Sequence, residues 1–219
     1  MNNFDATPFA PERLKSYEAG MKSRWLNRKL QLNASIYYYD YDDFQASNLY
    51  LVGSRPVITY SNADARNFGQ EVEAVILPTG RDRLRLSVLH MQTKILSDLI
   101  INPTPVRAVN IRGDDMTHSP HWTIKGGYSH DFDLFDGRLS PQVDIRYVSS
   151  QKVTPNPDPV SRQGAYATGD LLLGWVRDGY TVTAYVKNVN DRSVVRFYAA
   201  NQLYVAAPRT YGVTFGASF

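Results

Sequence analysis

The sequence predicts an all-β chain, an antiparallel segment of a transmembrane β-barrel. Three observations predict it. Apolar residues fall on every second position in about nine separate stretches, the period of a strand with one greasy face and one polar face. The connections between those stretches alternate, short then long, along the chain. The last stretch, PRTYGVTFGASF at 208–219, carries its alternation to the final residue: Tyr211, Val213, Phe215, Ala217 and Phe219 are apolar, and the residues between them are small or polar.

Composition agrees with strands. Tyr occurs 15 times in 219 residues, and aromatic residues suit strands better than helices. No stretch approaches 18 consecutive apolar residues, so no transmembrane helix is predicted. Barrel strands are not excluded by this, because their alternation averages to mild polarity. The net charge of +3 comes from interspersed signs without a basic tract, so no nucleic-acid partner is expected. The absence of cysteine removes disulfides, thiolate catalysis and Cys-ligated zinc. The start, MNNFDATPFAPERL, lacks a basic-then-apolar pattern and is not a signal peptide.

Taken in order, residues 13–26 fit a strand through Tyr17, Ala19, Met21 and Trp25. Leu14, Tyr17, Met21 and Trp25 also fit a helical stripe, but the next segment favours the strand. A polar turn at 26–29 leads into Leu30, Leu32, Ala34, Ile36 and Tyr38, which makes a hairpin. Residues 40–61 read as a long polar loop. Val72, Ala74 and Ile76 form the next strand, 78–82 a tight turn, and Leu84, Leu86 and Val88 the strand after it. Glu71 and Glu73 face Arg83 and Arg85 on the polar side, so cross-strand pairing is expected.

A second long loop covers 97–119. Trp122, Ile124, Gly126 and Tyr128 form the strand after it, then a short turn at 132–137. Leu139, Val143, Ile145 and Tyr147 come next, with Pro141 in the outward series. A third loop covers 149–164. Leu171, Leu173 and Trp175 make a strand, 177–179 a short turn, and Val182, Ala184 and Val186 another strand. A fourth connection, 188–207, leads to the terminal strand. Outer-membrane barrels place short turns on the periplasmic side and long loops outside. Counted back from Phe219, every tight turn lands in the periplasm. Aromatics near strand ends (Trp25, Tyr38, Trp122, Tyr147, Trp175, Tyr211 and Phe219) supply an interfacial girdle.

Four segments resemble the C-terminal part of a TonB-dependent outer-membrane receptor. They are APERLKSYEAGMKSRWLNRKLQLNASIYYYDYDDFQ (10–45), SNADARNFGQEVEA (61–74), VKNVNDRSV (186–194) and the closing strand. The resemblance covers nearly the whole chain. It implies about nine strands of a roughly 22-stranded barrel, in the bacterial outer membrane, serving TonB-energised uptake of a ferric siderophore or another large scarce nutrient. It also implies partners: outer-membrane lipid, the N-terminal barrel and plug of the same receptor, TonB acting through that plug, the barrel-assembly machinery, and a siderophore-like ligand. Residues 1–219 would be the C-terminal barrel part, without plug or signal peptide. A small autonomous outer-membrane barrel acting as a passive pore or structural protein is the alternative, and a soluble β-sandwich binding module is a third reading.

No catalysis and no cofactor are expected. His118 and His121, near Asp114 and Asp115, suggest a metal site only weakly, because the i,i+3 spacing at a strand entry does not converge two imidazoles. Ser119 beside them lacks a G-x-S-x-G elbow. The candidates for a lumen-facing role are Glu71, Glu73, Arg83, Arg85, Lys125, Asp144 and Arg146. Tyr211, Val213, Phe215, Ala217 and Phe219 are the candidates for an insertion signal.

Overall fold

The computed structural model describes residues 10–52, 55–104, 107–155, 157–199 and 202–218. In chain order the strands are β1 (Arg13–Trp25), β2 (Leu30–Val52), β3 (Arg55–Ile76), β4 (Asp82–Ile95), β5 (Ile100–Thr104), β6 (Arg107–Asn110), β7 (Trp122–His130) and β8 (Phe132–Leu134). They continue with β9 (Gly137–Val148), β10 (Gln151–Lys152), β11 (Arg162–Gln163), β12 (Tyr166–Arg177), β13 (Tyr180–Lys187), β14 (Val195–Ala199), β15 (Gln202–Val205) and β16 (Thr210–Ala217). The one helical element among the described residues is a single 3-10 turn, Pro159–Ser161.

Among the described residues, nine strands form one sheet in the order β1-β2-β3-β4-β7-β9-β12-β13-β16, and the short β8 extends the β9 pairing. Every neighbouring pair is antiparallel. The wall is therefore a meander, the all-β antiparallel barrel segment that the alternation predicts.

The short connections share one edge. The turn at 178–179 joins Arg177 directly to Tyr180. Asp178 and Gly179 both hold positive φ, 46° and 82°. That is the mirror-type hairpin turn whose twist matches the strands, and Asp-Gly is its preferred sequence. Phe135 and Asp136 make a second such turn, at 53° and 52°. The predicted turn at 132–137 is thus narrower than expected, because β8 continues β7 past a break at Asp131. Asp131 falls opposite Ser140, next to Pro141, which has no N–H to give a ladder. The Asp131 N–H donates to the Arg81 carbonyl instead, at 2.9 Å.

The long connections are not bare loops. Residues 40–61, expected as a loop, are mostly strand: β2 and β3 stay paired from Phe44↔Ala63 to Val52↔Arg55. The ladder passes a bulge between Tyr41 and Phe44, where Asp43 takes a φ of 58°. Backbone pairing carries the arm outward although its sequence no longer alternates apolar with polar residues. The connection after β4 holds the β5–β6 hairpin, and the one after β13 holds β14–β15.

The sheet's own apolar face has no core beneath it. Leu84, Leu86, Ile145, Leu171, Leu173, Val213 and Phe215 are exposed on it. The buried hydrophobics gather at the loop edge instead. One cluster is Ala63, Ile95, Leu99, Ile101 and Ile111. A second is Val148, Tyr166 and Val194. A sandwich would bury the sheet face; this chain leaves it open and buries only the bases of its loops.

Candidate functional site

Strand alternation puts the charged residues of the wall on the face opposite the apolar one. Register lines them into rungs. One rung runs Lys22, Asn33, Glu73, Ser87, Lys125, Arg146, Thr168. The next, nearer the short turns, runs Arg24, Gln31, Val75, Arg85, Gly127, Asp144, Asp170.

These two rungs line a trough of about 640 Å³, to which Glu73, Arg85, Lys125, Asp144 and Arg146 all contribute. Glu71 and Glu73 line a second depression beside it, with Gly20, Lys22 and Ser35. Arg83 stands one rung further toward the short turns, opposite Ser129, outside both. Of the seven charged candidates, five thus share one trough, Glu71 adjoins it and Arg83 stands apart.

Within the trough Arg85 Nη2 donates to Asp144 Oδ1 at 2.8 Å, and Gln142 Nε2 donates to the other oxygen at 2.5 Å. Asp144 reaches Arg85 across β7 because the intervening residue is Gly127. A β-carbon there would overlap Asp144 Oδ1 and sit 2.9 Å from Arg85 Nη2. The expected pairing of Glu71 and Glu73 with Arg83 and Arg85 does not form. Register sets Glu73 opposite Ser87 and Glu71 opposite Leu89. Arg85 turns to β9 instead.

The face opposite carries rungs such as Leu32, Ala74, Leu86, Gly126 and Ile145. On β4 the first polar residues of this series are Asp82 and His90, eight residues apart, or about 26 Å along the strand at about 3.3 Å per residue. Tilted at about 35–45°, a strand of that length rises about 19–22 Å, somewhat under the roughly 25 Å apolar band of such barrels. Trp25 and Trp175 stand at the short-turn edge and Trp122 at the loop edge, as girdle residues do.

At the loop edge, hydrogen bonds and ion pairs latch the connections to the wall. Asp115 meets His121 at 3.0 Å and Lys94 at 3.4 Å, and Lys152 holds Asp114 at 2.5 Å. The His118 backbone N–H donates to the Lys152 carbonyl at 2.8 Å. His121 is therefore a latch residue, and Ser119 Oγ donates to the Thr117 carbonyl. Among the described residues no group of three or more His, Cys, Asp or Glu side chains could hold a metal. In the loop before β5, the hydrogen bond from Asn110, with Arg112 nearby, holds the Asp98 carboxyl below the usual range.

The VKNVND segment also has a structural role that sequence reasoning leaves unassigned. Asn188 N–H donates to Asp170 Oδ1 at 2.8 Å, and Asn188 Oδ1 accepts from Arg192 N–H at 2.9 Å. Asp191 Oδ1 accepts the Arg209 N–H at 2.8 Å. Asn188 and Asp191 both adopt positive φ, which Asn and Asp tolerate better than most residues. The segment ties the end of β13 to the start of β16.

On β16, Tyr211, Val213 and Phe215 lie opposite Val186, Ala184 and Val182, and Ala217 lies opposite Tyr180. Phe219 lies outside the described residues.

This wall, polar on one face and apolar on the other with its turns sorted by edge, is the wall of an outer-membrane-type barrel. A family model described as TonB dependent receptor-like, beta-barrel matches residues 1–189, and the chain belongs to that family. No curated protein sequence matches. Among solved structures, the ferric yersiniabactin uptake receptor FyuA from Yersinia pestis superposes with a TM-score of 0.78 at 22% identity, covering 97% of this chain and 31% of FyuA. The ferric-catecholate import receptor Fiu from E. coli K12 gives 0.70 at 18% identity, covering 100% of this chain and 30% of Fiu. The copper transporter OprC gives 0.74 at 19%, covering 97% and 32%. At these identities the shared property is the fold. The chain spans about a third of the length of these structures. Family and neighbours are receptors and transporters, not enzymes.

Proposed function

We propose that this chain is the C-terminal part of the barrel of an outer-membrane receptor that takes up a ferric siderophore or another large scarce nutrient with energy from TonB. The observation that carries the reading is the two-faced wall. Its apolar face is exposed without a core beneath it, while its polar face carries a charged trough. Such a wall has lipid on one side and an aqueous lumen on the other. On this reading Glu71, Glu73, Arg83, Arg85, Lys125, Asp144 and Arg146 face the lumen. The rest of the receptor supplies the remaining barrel and the plug, and TonB acts through the plug. The membership in a receptor family and the likeness to two iron-uptake receptors support the ligand class. The copper transporter among the neighbours keeps other scarce nutrients within it.

The test is uptake. Cells expressing the complete receptor are given radiolabelled ferric siderophores, with and without TonB. Accumulation that requires both the receptor and TonB is the expected result. Accumulation unchanged in cells lacking TonB would sink the energised-transport reading.

A further inference from the structure

The trough contains a cation pair that the wall itself does not neutralise. Lys125 and Arg146 are direct partners across β7 and β9, and both line the trough. Like charges directly opposite on neighbouring strands repel. One rung away, Arg85 is neutralised by Asp144. Lys125 and Arg146 form no ion pair among the described residues, and Arg146 Nε is closed to solvent with no hydrogen-bond partner.

Among the described residues, none of the nearby carboxylates lies within ion-pair distance of Lys125 or Arg146. Asp144 is held by Arg85 and Gln142. Asp170 keeps its charge and also lines the trough, but its Oδ1 is turned to the Asn188 N–H and it pairs with neither cation. Glu73 lies two strands from Lys125, roughly 9.6 Å at the strand spacing, with Ser87 between them. The rung instead continues with hydroxyls: Ser87 beside Lys125, and Thr168 beside Arg146. Four adjacent strands thus present two cations flanked by two hydroxyl donors, in a trough roomy enough for an anion.

We propose that the Lys125–Arg146 rung binds a carboxylate. The guanidinium fork matches a carboxylate's two oxygens, and the ammonium and hydroxyls supply further donors. The carboxylate comes either from an acidic side chain elsewhere in the complete receptor or from a solute in the lumen. This rests on the reading of the polar face as a water-lined lumen.

The experiment uses the complete receptor in detergent micelles and has two arms. Zero-length carbodiimide coupling, mapped by mass spectrometry, joins the Lys125 amine to any in-chain carboxylate seated on it. Acetylation of Lys125, with and without citrate as the free-carboxylate probe, uses Lys187 as the internal reference. A Lys125 cross-link to an acidic residue supports the proposal with an in-chain source. Slowing of Lys125 acetylation by about tenfold once citrate reaches about nine times its Kd, the protection that simple occupancy gives, supports it with a free source. Arg146→Gln then abolishes that protection. A Lys125 that acetylates freely with or without citrate, and couples to nothing, overturns the proposal alone. A Lys125 unreactive to both reagents shows that the face is not a water-lined lumen, and overturns the underlying reading as well.

Discussion

Two residue pairs on the polar face repeat one device, a tyrosine laid over the glycine opposite it. Tyr37 faces Gly69, and Tyr185 faces Gly212. The ring covers the gap that a missing side chain leaves, and its own position depends on that gap. A β-carbon on Gly69 would overlap the Tyr37 ring, whereas one on Gly80 meets nothing within 4 Å. Tyr37 also stacks on Tyr39 at 4.8 Å, so moving it disturbs a second ring. Gly69→Ala is therefore expected to cost about 1–3 kcal/mol by overpacking, and Gly80→Ala almost nothing. The check is the urea midpoint of the membrane-inserted complete receptor; equal midpoints for the two variants would refute the device. The apolar face makes a second residue-scale demand. Leu86 sits midway between Asp82 and His90 on the face assigned to lipid. Leu86→Arg is expected to cost about 2–4 kcal/mol at a bilayer midplane. Ser35→Arg, on the other face and opposite Glu71, should stay within about 0.5 kcal/mol, as surface substitutions do. Similar losses from both would mean the faces are misassigned.

Elements differ in how plainly they are written in the sequence. The wall strands were legible because one face must be apolar, which forces a period of two: Leu30, Leu32, Ala34 and Ile36 on β2, or Leu84, Leu86 and Val88 on β4. The turn at 178–179 was legible because two positive φ values select Asp-Gly. The outer part of the β2–β3 arm was not. Beyond the bulge at Asp43 the strands stay paired through the backbone, and backbone pairing imposes no apolar period on the sequence. The five trough residues were legible as a polar face, but not their partners. Arg85 meets Asp144 only because Gly127 stands between them, and no local spacing on β4 announces a residue on β9. The terminal strand carries its own expectation. Tyr211, Val213 and Phe215 are 79%, 69% and 69% exposed, on a strand paired to β13 along one edge. If this alternating apolar series with Phe219 is read by the assembly machinery, deleting Phe219 from the complete receptor should lower its outer-membrane level far more than Ala217→Gly does. Equal levels for both variants would count against that role.

At the scale of the whole molecule, the parity of the wall sets the last expectation. Nine strands in an antiparallel meander leave β1 and β16 pointing the same way. Closing one on the other would make a parallel pair, and bacterial single-chain barrels are antiparallel with an even number of strands. A barrel of roughly 22 strands would add about thirteen to these nine. An odd complement is what the geometry needs, because only then do both of its edge strands run antiparallel to β1 and to β16. Until such a complement is present, β1 and β16 each offer, among the described residues, one unpaired row of backbone N–H and C=O groups. In hydrocarbon every unsatisfied group of this kind costs several kcal/mol, and in water an apolar strand edge invites pairing with another chain. The loop-edge clusters around Ile95 and Val148 are too small and too peripheral to offset this. Expressed alone and refolded in detergent, residues 1–219 are therefore expected to aggregate. Co-refolded with the rest of the receptor, they should give a heat-modifiable band on unboiled gels. A heat-modifiable monomer of the 219-residue chain alone that conducts ions across a bilayer would defeat this argument and establish a small autonomous pore.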